Sequence, residues 1–362
     1  MGETMRAMVL TGHGGLDRLV WHEAWPKPVA GPGEVLIRVG ACGLNNTDVN
    51  TRSAWYSKGT SAPTTGGALD GAAEQDATWG GAAISFPRIQ GADVCGRVAA
   101  LGAGVDAGLL GRRVLVDPWL RDPEDPLDMD RAGYFGSECD GGFAEFTRVD
   151  ARNVHPVESA LSDAELATFA TSCVTAENML DRAAVGQDDT VLIPGASGGV
   201  GSALIQLAKR RGARTVAMCG GAKAAAVAAI GPDAVIGRAP EDLKAALRAA
   251  IGRESVTVVA DVVGGAVWPQ LIGAIARGGR YTCAGAIAGP VVEFDLRTFY
   301  LRDLTFTGAT VVPPGTFARL VGHIERGEIR PLLAATWPLA ELRAAQAAFI
   351  AKSHVGNIVV TP

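Results

Sequence analysis

Thr190-Val191-Leu192-Ile193-Pro194-Gly195-Ala196-Ser197-Gly198-Gly199-Val200-Gly201 decides how the chain folds. Its first four residues carry no charge and are mostly β-branched, the pattern of a buried strand. They run straight into a glycine-rich loop, and the residues from Gly201 to Arg211 have helical spacing. A helix N-terminus offers unpaired N–H groups and the positive end of its dipole, and glycine lets an anion come close to the backbone. Strand, loop and helix in this order mark a diphosphate cradle, with Gly195, Ser197, Gly198, Gly199, Val200 and Gly201 as its candidate residues.

The alternation continues downstream. Residues 215–218 predict a strand, 223–229 a helix, 233–236 and 256–260 strands, 267–276 a helix and 279–283 a strand. Repeated βαβ units imply a Rossmann-type doubly wound parallel sheet. An NAD site usually carries an acid at the end of its second strand to hold the ribose 2′-hydroxyl. No Asp or Glu occurs from Thr190 to Pro232, and the second strand ends at Gly220, with Lys223 close behind. Room and positive charge suit a 2′-phosphate, so Lys223 and Arg238 point to NADPH. Val263-Gly264 and Gly285-Ala286-Ile287 end later strands, where ligands bind in such sheets.

Before residue 157 the pattern is different. Short apolar runs at 7–10, 34–39, 97–101 and 113–116 are punctuated by glycine and proline, as in a small β-barrel or sandwich. The expected organisation is 1–157 as the N-terminal part of a catalytic domain, 158–295 as the nucleotide domain, and 296–362 completing the sheet edge and the catalytic domain. Between 57 and 86 lies a Gly/Ala/Thr/Asp-rich stretch, either a surface insertion or a lid on the substrate cleft. The 33 basic and 38 acidic residues give a formal charge of -5, without the clustered cations that nucleic acid or anionic membranes require. Six scattered cysteines, no secretory leader and no apolar span predict a reduced, cytoplasmic protein.

Beyond the cofactor loop, Gly91-Ala92-Asp93-Val94-Cys95-Gly96, Asp140-Gly141-Gly142-Phe143-Ala144-Glu145 and His354-Val355-Gly356-Asn357-Ile358-Val359 resemble the medium-chain dehydrogenase/reductase superfamily, and within it the zinc-free quinone oxidoreductase-like branch. The resemblance covers nearly the whole chain. It implies a GroES-like β-barrel catalytic domain, a Rossmann domain inserted before the last strands, and homodimers or tetramers joined through sheet edges, with the strand near 304–310 as the joining edge. Thr175 and Asn357 complete the candidate cofactor contacts, although many relatives carry lysine where Asn357 stands.

Zinc-dependent members hold metal through a Gly-x-Cys-x-Thr-Asp run, a Gly-His-Glu run and a third ligand. The corresponding residues here are Asn45, Ala92 and a position near Thr171, which predicts no metal. Without zinc, hydrogen-bond donors must stabilise the oxygen on which charge develops. Asn45 and Tyr56 are the candidates, Thr47 and Asp48 stand as remnants of the family's proton relay, and Asp93 as an orienting group. Asparagine also closes turns and tyrosine also packs, and both roles stay open. The expected activity is NADPH-dependent, metal-independent hydride transfer to a quinone or other small carbonyl-conjugated substrate. Zinc-independent ketone or aldehyde reduction and a non-enzymatic NADPH-binding role are the alternatives.

Overall fold

The computed structural model describes residues 2–64 and 72–362. The described residues divide into two compact units, one formed by 2–60, 72–171 and 313–362, the other by 61–64 and 172–312.

The second unit is a six-stranded sheet. Its spatial order is Ala234–Gly237, Arg214–Cys219, Thr190–Pro194, Val256–Asp261, Ile275–Cys283, Thr305–Gly308, and every neighbouring pair is parallel. Numbered along the chain this is 3-2-1-4-5-6, so chain direction away from the first strand reverses between Thr190–Pro194 and Val256–Asp261. That reversal opens a crevice at the carboxyl ends of the two strands, where ligands bind in sheets of this kind. The central strands are buried because helices cover a parallel sheet on both faces, which is why Val191, Leu192, Ile193, Val258 and Val259 read as continuous apolar runs. Leu192, Val216, Val259, Leu271 and Tyr281 share one core cluster.

In the first unit, Glu34–Gly43 is the organising strand. It pairs antiparallel with Asp93–Leu101, Phe146–Asp150 and Asn357–Thr361. Arg113–Val116, Val154–Pro156 and Leu333–Pro338 extend the sheet, and the hairpin Thr4–Leu10/Leu19–Pro26 packs on the same core. This antiparallel sheet is the β-rich half of the expected architecture. Gly91 is required here: its φ is +98°, and a Cβ would lie 2.7 Å from the Phe143 ring.

Several expectations are corrected. The helix expected at 267–276 ends at Gly273, and Ile275 already belongs to the next strand. That strand pairs Ile275 with Val256 and then shifts register before Arg280 meets Val258, with Gly278 at φ +71° in the irregularity. The strand near 304–310 is Thr305–Gly308. The 57–86 stretch falls partly outside the described residues. Among those described, no helix is long and apolar enough to cross a membrane.

Candidate active site

The strand, glycine loop and helix read from residues 190–211 are all present. Gly195 ends the first strand at φ +67°, and a Cβ there would lie 2.9 Å from Val263 Cγ2. A Cβ on Gly201 would fall on the Gly195 carbonyl oxygen, so the helix can begin this close to the strand only with glycine at 201. Helix Gly199–Arg210 has Gly198 as N-cap and no side-chain cap, which leaves its first N–H groups for an anion. No heavy atom beyond the immediate chain lies within 4 Å of a Cβ built at Gly220 or Gly221. Lys223 Nζ donates to Ser197 Oγ at 3.4 Å, and burial and the charge of Arg238 lower its pKa. Ser197, Lys223 and Arg238 therefore converge beside an acid-free strand end, a fit for a phosphate-bearing ribose.

Val263 and Gly264 are fixed by Asp261, a fully buried carboxylate. Asp261 Oδ1 accepts from the Val263 N–H at 2.7 Å, Oδ2 from the Gly264 N–H at 3.2 Å and from the Tyr281 hydroxyl at 2.9 Å. The next loop is laced to this one: Ile287 N–H donates to the Val262 carbonyl and Ala288 N–H to the Val263 carbonyl. Gly285, Ala286 and Ile287 thus stand beside Val263 and Gly264. Thr64 N–H donates to the Ile287 carbonyl at 3.0 Å, a contact the sequence did not signal. Thr175 is partly buried on helix Ala170–Arg182. Asn357 belongs to the first unit, buried at the head of its strand with its N–H on the Leu332 carbonyl.

The catalytic candidates gather in the first unit around the short helix Asn46–Arg52. Asn45 is its N-cap, and the Asn45 N–H donates to Asp48 Oδ2 at 2.8 Å. Asp48 and Asp93 are both buried. Burial pushes the Asp48 carboxyl up to about 7, opposed by the Asn45 N–H and reinforced by the charge of Asp93. Burial likewise lifts Asp93 to about 6, opposed by the Thr171 hydroxyl and N–H and by the nearby Asn45 amide. Although close enough to favour the Asp93 charge, Asn45 Nδ2 makes no hydrogen bond of ordinary geometry with any described residue. Tyr56 stands by the side chains of Thr47 and Asn50, its phenol raised by burial.

Tyr134, which the motifs do not flag, joins this group. Its hydroxyl lies 2.7 Å from Thr171 Oγ1, and Thr171 Oγ1 in turn hydrogen-bonds Asp93 Oδ1. Trp79 from the 57–86 stretch and Trp119 pack edge-on, with ring centroids 5.1 Å apart, and Trp119 packs on Tyr134 at 5.2 Å.

A zinc ion does not fit the residues at the three expected ligand positions. Ala92 has no donor atom, Asn45 offers an amide, and the Thr171 hydroxyl is engaged by Asp93 and Tyr134. Among the described residues no three His, Cys, Asp or Glu side chains gather as a metal site.

Comparison with known proteins agrees with both halves. Residues 31–159 match the alcohol dehydrogenase GroES-like domain, and 199–326 match the zinc-binding dehydrogenase domain. A candidate alcohol dehydrogenase of Sinorhizobium meliloti 1021 is 45% identical, with a TM-score of 0.89, over 100% of this chain and 98% of that one. A cobalt- and zinc-bound thermostable alcohol dehydrogenase of Pyrobaculum aerophilum is 30% identical, with a TM-score of 0.82, over 99% of this chain and all of that one. An acryloyl-coenzyme A reductase of Metallosphaera sedula is 27% identical over 99% of this chain and all of its own length.

Proposed function

The chain belongs to the medium-chain dehydrogenase/reductase superfamily, and from that premise we propose that it is a metal-independent, NADPH-dependent reductase of α,β-unsaturated carbonyl compounds or quinones. The observation that carries this reading is Asn45 Nδ2: a buried amide donor that lies near the Asp93 carboxylate yet makes no hydrogen bond of ordinary geometry among the described residues, at the position where zinc-dependent members place their first ligand. An unpaired buried donor costs about 1–3 kcal/mol, which an arriving acceptor recovers. A carbonyl oxygen is such an acceptor, and its demand grows as charge develops on it during reduction.

The bound reduced nicotinamide nucleotide would supply the hydride. The chain's own residues orient and polarise. Asn45 donates to the substrate oxygen, with Tyr56, in the turn that follows the same helix, as a second donor and Thr47 beside it. Asp48 keeps Asn45 in place by accepting its N–H. Asp261 sets the Val263–Gly264 backbone against which the nicotinamide would rest, and Lys223 and Arg238 favour NADPH over NADH. An acryloyl-CoA reductase among the relatives supports a conjugated carbonyl as substrate. Similarity to alcohol dehydrogenases favours simple ketones or aldehydes as a second class. A homodimer through the outer edge of Thr305–Gly308 is part of the same reading, since no described strand pairs there and Leu296, Tyr300 and Leu301 are exposed nearby.

The test is cofactor oxidation against quinones, enones, enoyl thioesters and simple ketones, with NADH in place of NADPH and with a chelator as controls. NADPH-preferring turnover of conjugated substrates that survives chelation is the expected result. Turnover of ketones alone would install the second reading, and loss of activity on chelation would refute metal independence.

A further inference from the structure

We propose that Tyr134, backed by Thr171 and Asp93, delivers the proton that completes reduction at the oxygen held by Asn45. The proposal rests on the reductase reading above and names the group that reading leaves open.

A hydrogen-bonded row of hydroxyls has a direction. Thr171 Oγ1 touches Asp93 on one side and Tyr134 on the other, and it has one proton to give. When Asp93 is ionised, Thr171 must donate to it and Tyr134 must donate to Thr171, so Tyr134 has no proton to offer outward. When Asp93 carries a proton the row reverses. Asp93 donates to Thr171, Thr171 donates to Tyr134, and the Tyr134 hydroxyl is free to donate to a substrate oxygen.

The transfer balances. The reduced nicotinamide nucleotide is the reductant and gives the electron pair as hydride. The Tyr134 O–H bond breaks as the substrate oxygen gains its proton. Tyr134 takes the Thr171 proton, and Thr171 takes that of Asp93. The row ends in its inward direction with Asp93 as a carboxylate, which the Thr171 N–H stabilises at 2.9 Å. After product leaves, a solvent proton taken up at the Tyr134 oxygen passes back along the row through Thr171 and restores the Asp93 proton.

A carboxyl at the end of the row is what makes the phenol usable. Burial and the charge of Asp93 raise the Tyr134 pKa, so a buried tyrosinate would be a costly product. Passing the charge to Asp93 avoids it. With its carboxyl near 6, Asp93 is protonated in a usable fraction near neutral pH. Among the described residues, the other ionisable groups that bear on the row include Asp48 from Asn46–Arg52, Cys42 from Glu34–Gly43, Tyr56, and Glu138, whose carboxylate accepts the Tyr134 N–H. Tyr56 contacts Thr47 and Asn50, neither of which can restock a proton.

Turnover of an enone or quinone would be measured across pH for the wild type and for Tyr134→Phe, Thr171→Val, Thr171→Ser and Asp93→Asn, alongside NADPH affinity and Tm. Tyr134→Phe keeps the ring on Trp119 and removes only the hydroxyl. Its kcat is expected to fall by roughly 100-fold or more, the usual weight of a general acid, with NADPH affinity unchanged. Thr171→Val should match it and Thr171→Ser should recover. Wild-type kcat should drop about tenfold per pH unit above about 6, and Asp93→Asn should abolish that slope. Tyr134→Phe turning over at the wild-type rate with the wild-type pH profile would overturn the relay and leave the reductase reading standing. A wild-type protein inert toward every conjugated carbonyl would overturn the reductase reading, and the relay with it.

Discussion

Thr171 gives both its main-chain N–H, at 2.9 Å, and its hydroxyl to the same oxygen of Asp93. Two donors on one oxygen stabilise the charged carboxylate, yet burial outweighs them and the carboxyl still titrates near 6. Asp48 is raised further, to about 7, by burial and by its neighbour Asp93. Asp48 and Asp93 therefore both hold their protons more tightly folded than unfolded.

The consequence for stability has a definite sign. A carboxyl raised on folding binds more protons in the native state, so stability is greatest below the unfolded pKa and falls as pH rises towards the folded value. From pH 4 to 7 both groups act in this direction. For Asp48 the full effect is on the order of 4 kcal/mol, at about 1.4 kcal/mol per pKa unit between 3.8 and about 7. Asp48→Asn keeps an acceptor for the Asn45 N–H and removes the titration. Thermal unfolding at pH 5 and pH 8 should show a smaller loss of Tm for this variant than for the wild type. An equal loss in both proteins would mean that Asp48 is ionised throughout.

The Rossmann-type sheet was legible because its strands are buried on both faces and read as unbroken apolar runs, and because the Gly195–Gly201 loop has few other uses. Helix Asn46–Arg52 was not, since a short polar segment held by an N-cap shows no apolar period. Residues 275 and 276 were read as helix because an apolar pair after a helix fits either state, and only the pairing of Ile275 with Val256 settles it. Asn45, Asp48 and Asp93 could be named from their motifs. Tyr134 could not: it meets Thr171 across 37 positions and Asp93 lies 78 from Thr171, distances at which no local pattern operates.

Cofactor preference can be moved at two positions. Lys223→Ala removes the cation beside Ser197 and should weaken NADPH by about 10- to 100-fold, the worth of one charge-assisted hydrogen bond, while leaving NADH nearly unchanged. Gly220 has φ -67° and open space around a Cβ, so Gly220→Asp fits without strain. It restores the acid that NAD sites use, and the double variant should prefer NADH. Fluorescence titration of the two nucleotides measures both effects. A parallel loss of NADH affinity in Lys223→Ala would show that the lysine holds the loop rather than the 2′-phosphate.

Asp261 should matter to binding more than its distance from solvent suggests. Asp261→Ala strands the N–H groups of Val263 and Gly264 and the Tyr281 hydroxyl. A loss of about 2–4 kcal/mol in stability is expected, together with weaker nucleotide binding, because the loop is no longer fixed. Asp261→Asn retains one acceptor and should lose less of both. If Asp261→Ala unfolds at a lower temperature but binds NADPH normally, the carboxylate serves the sheet alone.

Trp79 is the described part of the 57–86 stretch that reaches the catalytic group. It packs edge-on against Trp119, tilts over Tyr134 at 6.4 Å, and donates from Nε1 to Glu138 at 3.2 Å. Glu138 also accepts the Tyr134 N–H at 2.7 Å, so Trp79 and Tyr134 share one anchor. If this aromatic wall shapes the substrate site, Trp79→Ala should raise KM for a conjugated substrate several-fold and leave NADPH affinity intact, since the glycine loop, Lys223 and Asp261 belong to the other unit. Trp79→Phe keeps an edge for Trp119 and should restore most of the loss, because an aromatic pair contributes about 0.5–1.5 kcal/mol beyond its buried area. An unchanged KM in Trp79→Ala, with Tm lowered, would make the wall a support for the Tyr134 segment and nothing more.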